Sequence, residues 1–140
     1  MKIRSFRLAD YVQASELFRE VLSEACFEET MKAFGRQLAW DSDLILVAEV
    51  DGKVVGAIIG TIDEDEGFYY RIAVAREHQR KGIGTALIQA LRNRFLQRRV
   101  RRIRVTVDAH NAPVLPLYEA AGYGPKDFFH SWERLKIVSG

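Results

Sequence analysis

The stretch Ile72-Ala73-Val74-Ala75-Arg76-Glu77-His78-Gln79-Arg80-Lys81-Gly82-Ile83-Gly84-Thr85-Ala86-Leu87 decides the fold of this 140-residue chain. Its first three residues close an apolar run, 68–74, that reads as a strand. From Ile83 to about residue 98, Ile83, Leu87, Ala90, Leu91 and Phe95 share one helical stripe. Between strand and helix lies Gln79-Arg80-Lys81-Gly82-Ile83-Gly84. A helix start offers unpaired backbone N–H groups and the positive end of the helix dipole. Glycine lets the backbone approach an anion closely and take positive φ. Arg80 and Lys81 add charge and Thr85 a hydroxyl. The turn therefore reads as a phosphate cradle. The alternative is a helix that merely begins with glycines. Leu87 stands where a dinucleotide fingerprint needs its third glycine, and the Gly-Lys-Ser/Thr of a nucleoside triphosphate loop is absent.

Upstream, Ile3 to Phe6 alternates as a short strand. Asp10 with Gln13 resembles a capping box for a helix with the stripe Tyr11, Ala14, Phe18, Val21 and Ala25. A second helix runs through Met31, Phe34 and Leu38 and stops at Asp41-Ser42-Asp43. Residues 44–50 and 53–62 read as strands around Asp51-Gly52, a two-residue hairpin turn. The acidic block Asp63-Glu64-Asp65-Glu66 makes the next turn. Downstream, Ile103, Val105 and Val107 alternate as a half-buried strand. A short helix spans about residues 114–121, with Gly122 ending it, and residues 128–137 read as a last strand. The order is β-α-α-β-β-β-α-β-α-β, an α/β chain forming one domain over residues 1–140. It predicts about six strands in a mixed, mostly antiparallel sheet and about four helices. Residues 68–107 form the one parallel strand–helix–strand crossover.

Composition narrows the function. No apolar run approaches the ~18 residues of a membrane span, and residues 1–5 lack a signal-peptide core, so a cytoplasmic protein is expected. The single cysteine, Cys26, excludes an internal disulfide and any cysteine-based metal site, and no metal is expected. Glu24, Glu28 and Glu29 beside it disfavour a reactive thiolate. Seven arginines lie between Arg92 and Arg104. They fit a solvated helix face and loop better than a nucleic-acid surface.

At this point the chain resembles the GNAT superfamily of acyl-CoA-dependent N-acetyltransferases. Residues 72–87 match that family's strand, Gln/Arg-x-x-Gly-x-Gly/Ala turn and helix. Asn111, Leu117-Tyr118-Glu119 and Gly122-Tyr123 match its second motif, with Tyr118 seven residues after Asn111. The hairpin over residues 48–56 looks like the usual lead-in. Pro116, inside the helix that carries Tyr118, is a departure; it is harmless only within the first turn.

The resemblance implies acetyl-CoA as co-substrate and an amine, on a small molecule or a protein, as acceptor. It implies a monomer or homodimer with no membrane partner. The pyrophosphate would lie on N–H groups of Gln79, Arg80, Lys81, Gly82, Ile83, Gly84 and Thr85. The pantetheine arm would run beside Ile72, Ala73 and Val74, with the Val74 N–H polarising the acetyl carbonyl. Asn111 would hold the arm and Tyr118 would protonate the leaving thiolate. Many relatives place a glutamate four residues before Val74; here that residue is Tyr70. Glu66, Glu28, Glu29 and His130 are the remaining candidates for a base, and His78, His110 and His130 each read singly as surface or packing residues. The acids 63–66 read either as a solvated hairpin turn or as a rim of the acceptor entrance that captures a cationic amine. A non-catalytic acyl-CoA sensor and a nucleic-acid-binding module using residues 92–104 are the competing readings.

Overall fold

A computed structural model describes residues 1–140. Strand β1 (Lys2–Ser5) is followed by helices α1 (Tyr11–Val21) and α2 (Glu24–Asp41). Strands β2 (Ile45–Val50), β3 (Lys53–Asp63) and β4 (Glu66–Val74) form a meander, and α3 (Ile83–Gln97) leads to β5 (Arg102–Thr106). Helix α4 (Leu115–Ala120), strand β6 (Phe128–Phe129) and helix α5 (Lys136–Ser139) complete the chain. The six strands lie in sequence order in one sheet. The first three pairings are antiparallel, and β4–β5 and β5–β6 are parallel. The expected mixed, mostly antiparallel sheet and parallel crossover are present, with five α-helices.

Local chemistry explains most boundaries. Asp51 and Gly52 take φ of 51° and 78°, the two positive values a primed hairpin turn demands. Ser23 caps α2, its hydroxyl accepting from Cys26 N at 3.2 Å. Pro116 is the second residue of α4, so it removes no intrahelical bond.

Three expectations are corrected. Asp10 does not cap α1. A 3-10 turn, Leu8–Asp10, precedes that helix, and the Asp10 carboxylate turns back to accept from Arg7 N at 2.8 Å and to pair with Arg4 at 2.8 Å. Gln13 instead accepts from Val54 N at 2.9 Å, fastening α1 to the hairpin. Residues 128–137 are not one strand. Only Phe128 and Phe129 pair with β5; the chain then turns, and α5 docks on α2, where Arg36 donates to Ile137 O at 3.0 Å and Val138 O at 2.7 Å. Leu135 and Ile137 alternate like a strand but are buried by this docking.

A bulge in β4 positions the site. Ile59 pairs with Arg71 and Gly60 with Tyr69, so Tyr70 is the extra residue. Tyr69 faces α3, packing edge-on against Phe95. Past the bulge Arg71 faces α2, where its Nε donates to Thr30 Oγ1 at 2.9 Å. The β4–β5 pairing ends at Tyr69–Val105, so residues 70–74 of β4 present an unpaired edge.

Candidate active site

Backbone alternation settles which way the free edge points. Ala75 N donates to Val55 O at 2.8 Å, so this residue faces β3. Groups of neighbouring residues alternate in direction along an antiparallel pair. The N–H groups of Val74 and Ile72 therefore point into the gap beside β5, and those of Ala73 point to β3. Val74 O faces the same gap and accepts from Gln79 Nε2 at 3.0 Å. Gln79 thus ties the glycine turn to the end of β4.

The turn itself opens α3 without a side-chain cap. Gly82 takes φ of 83°, and Arg80, at φ 64°, also lies in the left-handed region. The first N–H groups of α3 are consequently left for an anion. The second glycine has a different task. A Cβ on Gly84 would lie 2.6 Å from Leu117 Cδ2, so Gly84 permits α4 to pack on α3.

That packing carries the second motif. Asn111 is buried and organises the β5–α4 loop: its Oδ1 accepts from Asp108 N at 3.0 Å and its Nδ2 donates to Thr106 O. Tyr118 is buried on α4 with its ring centroid 5.2 Å from that of Tyr69. Tyr69 spends its hydroxyl on Ile88 O and on Tyr123, 2.7 Å away. Burial pushes the Tyr118 pKa up, and the Arg71 charge offsets this in part.

On the α2 side of the gap lies a buried polar cluster that sequence reading did not identify. Arg71 and Asp108 are buried and 3.0 Å apart. Asp108 Oδ1 also accepts from His110 N at 2.8 Å and Asn111 N at 3.1 Å. The pair therefore ties β4 to the loop bearing Asn111. The Arg71 guanidinium sits 4.7 Å from the Tyr70 ring centroid. One signal was available: Arg71 is the lone charge inside an apolar strand run, and such a charge is buried only with a partner. Burial pushes the Tyr70 hydroxyl up to about 12 and raises the Cys26 thiol.

The acidic block does not join this site. It sits at the start of β4, and Val74 at the other end, eight residues from Glu66 and so roughly 26 Å away. Arg101 pairs with Asp65 at 3.0 Å and Glu66 at 2.8 Å, and Lys136 lies 3.7 Å from Asp63. Those contacts overturn the reading of the block as a rim of the acceptor entrance and remove Glu66 as a base. Glu28 and His130 are exposed. Five of the seven arginines in the run are likewise engaged internally. Arg94 donates to Ser5 Oγ at 3.1 Å, Arg98 pairs with Asp41, Arg101 and Arg104 reach Glu66, and Arg102 donates to Lys126 O. A cavity of about 510 Å³ lies between α1, the Asp51-Gly52 hairpin and residues 75–81, reaching Lys81 of the glycine turn.

An open strand edge, a glycine turn at an uncapped helix start and a buried tyrosine on the neighbouring helix are features that an acyl-CoA-dependent transferase would use. A profile of the acetyltransferase (GNAT) family matches residues 11–123, and the chain belongs to that family. It is an N-acetyltransferase with acetyl-CoA as co-substrate. Solved structures similar to it include the PaiA N-acetyltransferase of Thermoplasma acidophilum in complex with coenzyme A (20% identity, 88% of this chain and 89% of that one, TM-score 0.71). The ribosomal-protein-S18-alanine N-acetyltransferase of Escherichia coli is 25% identical over 88% of this chain and 77% of its own, with a TM-score of 0.66. The diaminobutyrate acetyltransferase EctA of Paenibacillus lautus, in complex with diaminobutyric acid and coenzyme A, is 26% identical over 85% and 72%, with a TM-score of 0.65. No helix is long and apolar enough to cross a membrane.

Proposed function

We propose that the enzyme transfers the acetyl group by direct attack of a primary amine on acetyl-CoA, both bound at once. The observation that carries this reading is the unpaired edge of β4, with Ile72 and Val74 N–H aimed into the gap and the uncapped start of α3 at its end. In this arrangement the backbone of residues 79–85 holds the pyrophosphate, and the Ile72–Val74 edge and Asn111 hold the pantetheine arm. The Val74 N–H donates to the acetyl oxygen, which gains negative charge as the amine attacks. The Tyr118 hydroxyl gives its proton to the departing sulfur. A covalent acetyl-cysteine route is disfavoured by Cys26, whose thiol is buried and held protonated.

The acceptor class follows from chemistry in common. Relatives of similar fold are named for an aminoglycoside, a ribosomal-protein alanine and diaminobutyrate. Each is a primary amine that reaches an enzyme as a cation. The test is CoA release from acetyl-CoA with a panel of kanamycin, L-2,4-diaminobutyrate, spermidine and an alanine-initiated peptide. Intersecting initial-velocity lines support direct transfer. Parallel lines, or an acetylated protein detected by mass, would rule it out.

A further inference from the structure

The acceptor amine must lose a proton before it attacks, and the structure leaves few groups to take it. The glycine turn opens α3, which packs on one face of the sheet, and α4 packs on α3. If the co-substrate enters on that face, the α2 face is left for the acceptor. On the α2 face Arg71 gathers one cluster: it donates to Thr30, pairs with Asp108 and lies over Tyr70, while Cys26 touches Thr30 and His110 touches Asp108 and Glu29. Cys26, Thr30, Tyr70 and Arg71 are buried, and the Asp108 side chain has no exposed surface. Each is also chemically committed. Cys26 and Tyr70 hold their protons, Arg71 stays cationic, and Asp108 serves Arg71 and two loop N–H groups.

Two titratable groups remain open to solvent at this mouth. His110 Nε2 lies 3.2 Å from Glu29 Oε2, and each side chain keeps about a quarter of its surface exposed, 26% and 25%. The two come from different elements, α2 and the β5–α4 loop. His110 is fixed through its backbone N–H to Asp108, one residue from Asn111.

We propose that His110, oriented by Glu29, is the proton acceptor for the amine. This rests on the acetyl-transfer reading above and goes beyond it by assigning the base that the sequence left open. In this proposal neutral His110 carries its hydrogen on Nε2, 3.2 Å from Glu29 Oε2, and Nδ1 receives the proton. One ammonium proton passes to Nδ1, directly or through one water. The nitrogen lone pair then forms the new C–N bond, and the C–S bond breaks with its electron pair on sulfur. Tyr118 protonates that sulfur, and the imidazolium returns its proton to solvent.

The experiment compares two nucleophiles in wild type, His110→Gln and Glu29→Gln at pH 7. One is the best panel amine, protonated in solution. The other is hydroxylamine, neutral at that pH and needing no base before attack. We expect His110→Gln to lower kcat/KM for the protonated amine on the order of 10²-fold, with a smaller loss for Glu29→Gln. Hydroxylamine should react near the wild-type rate in both, and the acetyl-CoA-induced rise in Tm should persist. Equal losses on both nucleophiles would overturn the assignment, because a merely structural role would slow both. A wild-type rate for His110→Gln on the protonated amine would overturn it as well. Absence of CoA release by wild type with every panel member would strike the acetyl-transfer reading itself, and this assignment with it.

Discussion

Leu117 occupies the space that a side chain at position 84 would need: a Cβ there would lie 2.6 Å from Leu117 Cδ2. The second glycine of the turn is therefore a packing residue, and it sets how closely the helix bearing Tyr118 approaches α3. Leu117 meets it with the flexible end of its side chain, so a methyl should be accommodated by a small swing. Gly84→Ala should stay close to wild type. Gly84→Val should lose about 1–3 kcal/mol by overpacking and lower Tm by several degrees. Paired thermal melts of the two variants check this, and an equal loss in both would show that backbone approach governs position 84.

Gly82 is constrained by its backbone. Its φ is 83° and no atom lies within 4 Å of the point a Cβ would occupy, so conformation and not space favours glycine here. Gly82→Ala should cost about 1–2 kcal/mol, and the turn should lose its grip on the pyrophosphate. Acetyl-CoA at 100 times its Kd should stabilise wild type by about 2.7 kcal/mol through mass action. The variant should show a much smaller rise in Tm at the same concentration. An undiminished rise would remove the glycine turn from the binding site.

How far the sequence anticipated this site depends on the range of each interaction. The β4–turn–α3 unit and the Asp51-Gly52 hairpin are encoded in contiguous residues, and both appear as expected. Asn111 and Tyr118 lie on one local motif; Asn111 bonds to Asp108 and Thr106 at the end of β5, and Tyr118 packs against Tyr69. The bulge at Tyr70 has no such local code, because it is a register difference between β3 and β4. It turns Arg71 toward α2, where its partner Asp108 stands 37 residues further along the chain. Glu29, read from sequence as one of several candidate bases, and His110, read as a surface or packing residue, meet only in the fold, where α2 brings them to 3.2 Å. The acidic block misled for the converse reason. Its neighbours in space, Arg101, Arg104 and Lys136, neutralise a charge that looks free in sequence.

The Arg71–Asp108 pair separates stability from positioning. Removing one partner leaves the other charge buried, so Asp108→Ala should destabilise by about 3–5 kcal/mol. Replacing both with apolar residues, Arg71→Met with Asp108→Leu, should recover most of that stability. It should not recover activity, because His110 N and Asn111 N lose their acceptor. Urea melts and kcat measured on the same proteins check both halves. Recovery of kcat along with stability would reduce the pair to a structural role.

Tyr118 joins catalysis and pH dependence in one side chain. As the acid it must hold its proton until the C–S bond breaks, and burial raises its pKa above the ordinary 10.0. Its hydroxyl is thus fully protonated at neutral pH, and kcat should show no alkaline fall from this group below about pH 10. Tyr118→Phe keeps the ring against Tyr69 and should bind acetyl-CoA normally, while the chemical step slows on the order of 10²-fold. The same shift acts on stability with a fixed sign. In the folded state the proton is held above the unfolded pKa, so folding binds protons at high pH. The stabilisation is complete below about pH 10 and is lost as pH rises beyond it. Tyr69, Tyr70 and Tyr123 are shifted in the same direction by burial and add to the effect. Stability should therefore fall steeply above pH 10, and Tyr118→Phe should fall less steeply because one such group is gone. Denaturation at pH 8, 10 and 11 for both proteins measures the two slopes. Identical slopes, together with wild-type turnover under conditions where chemistry limits the rate, would leave Tyr118 as neither a buried titrating group nor the acid.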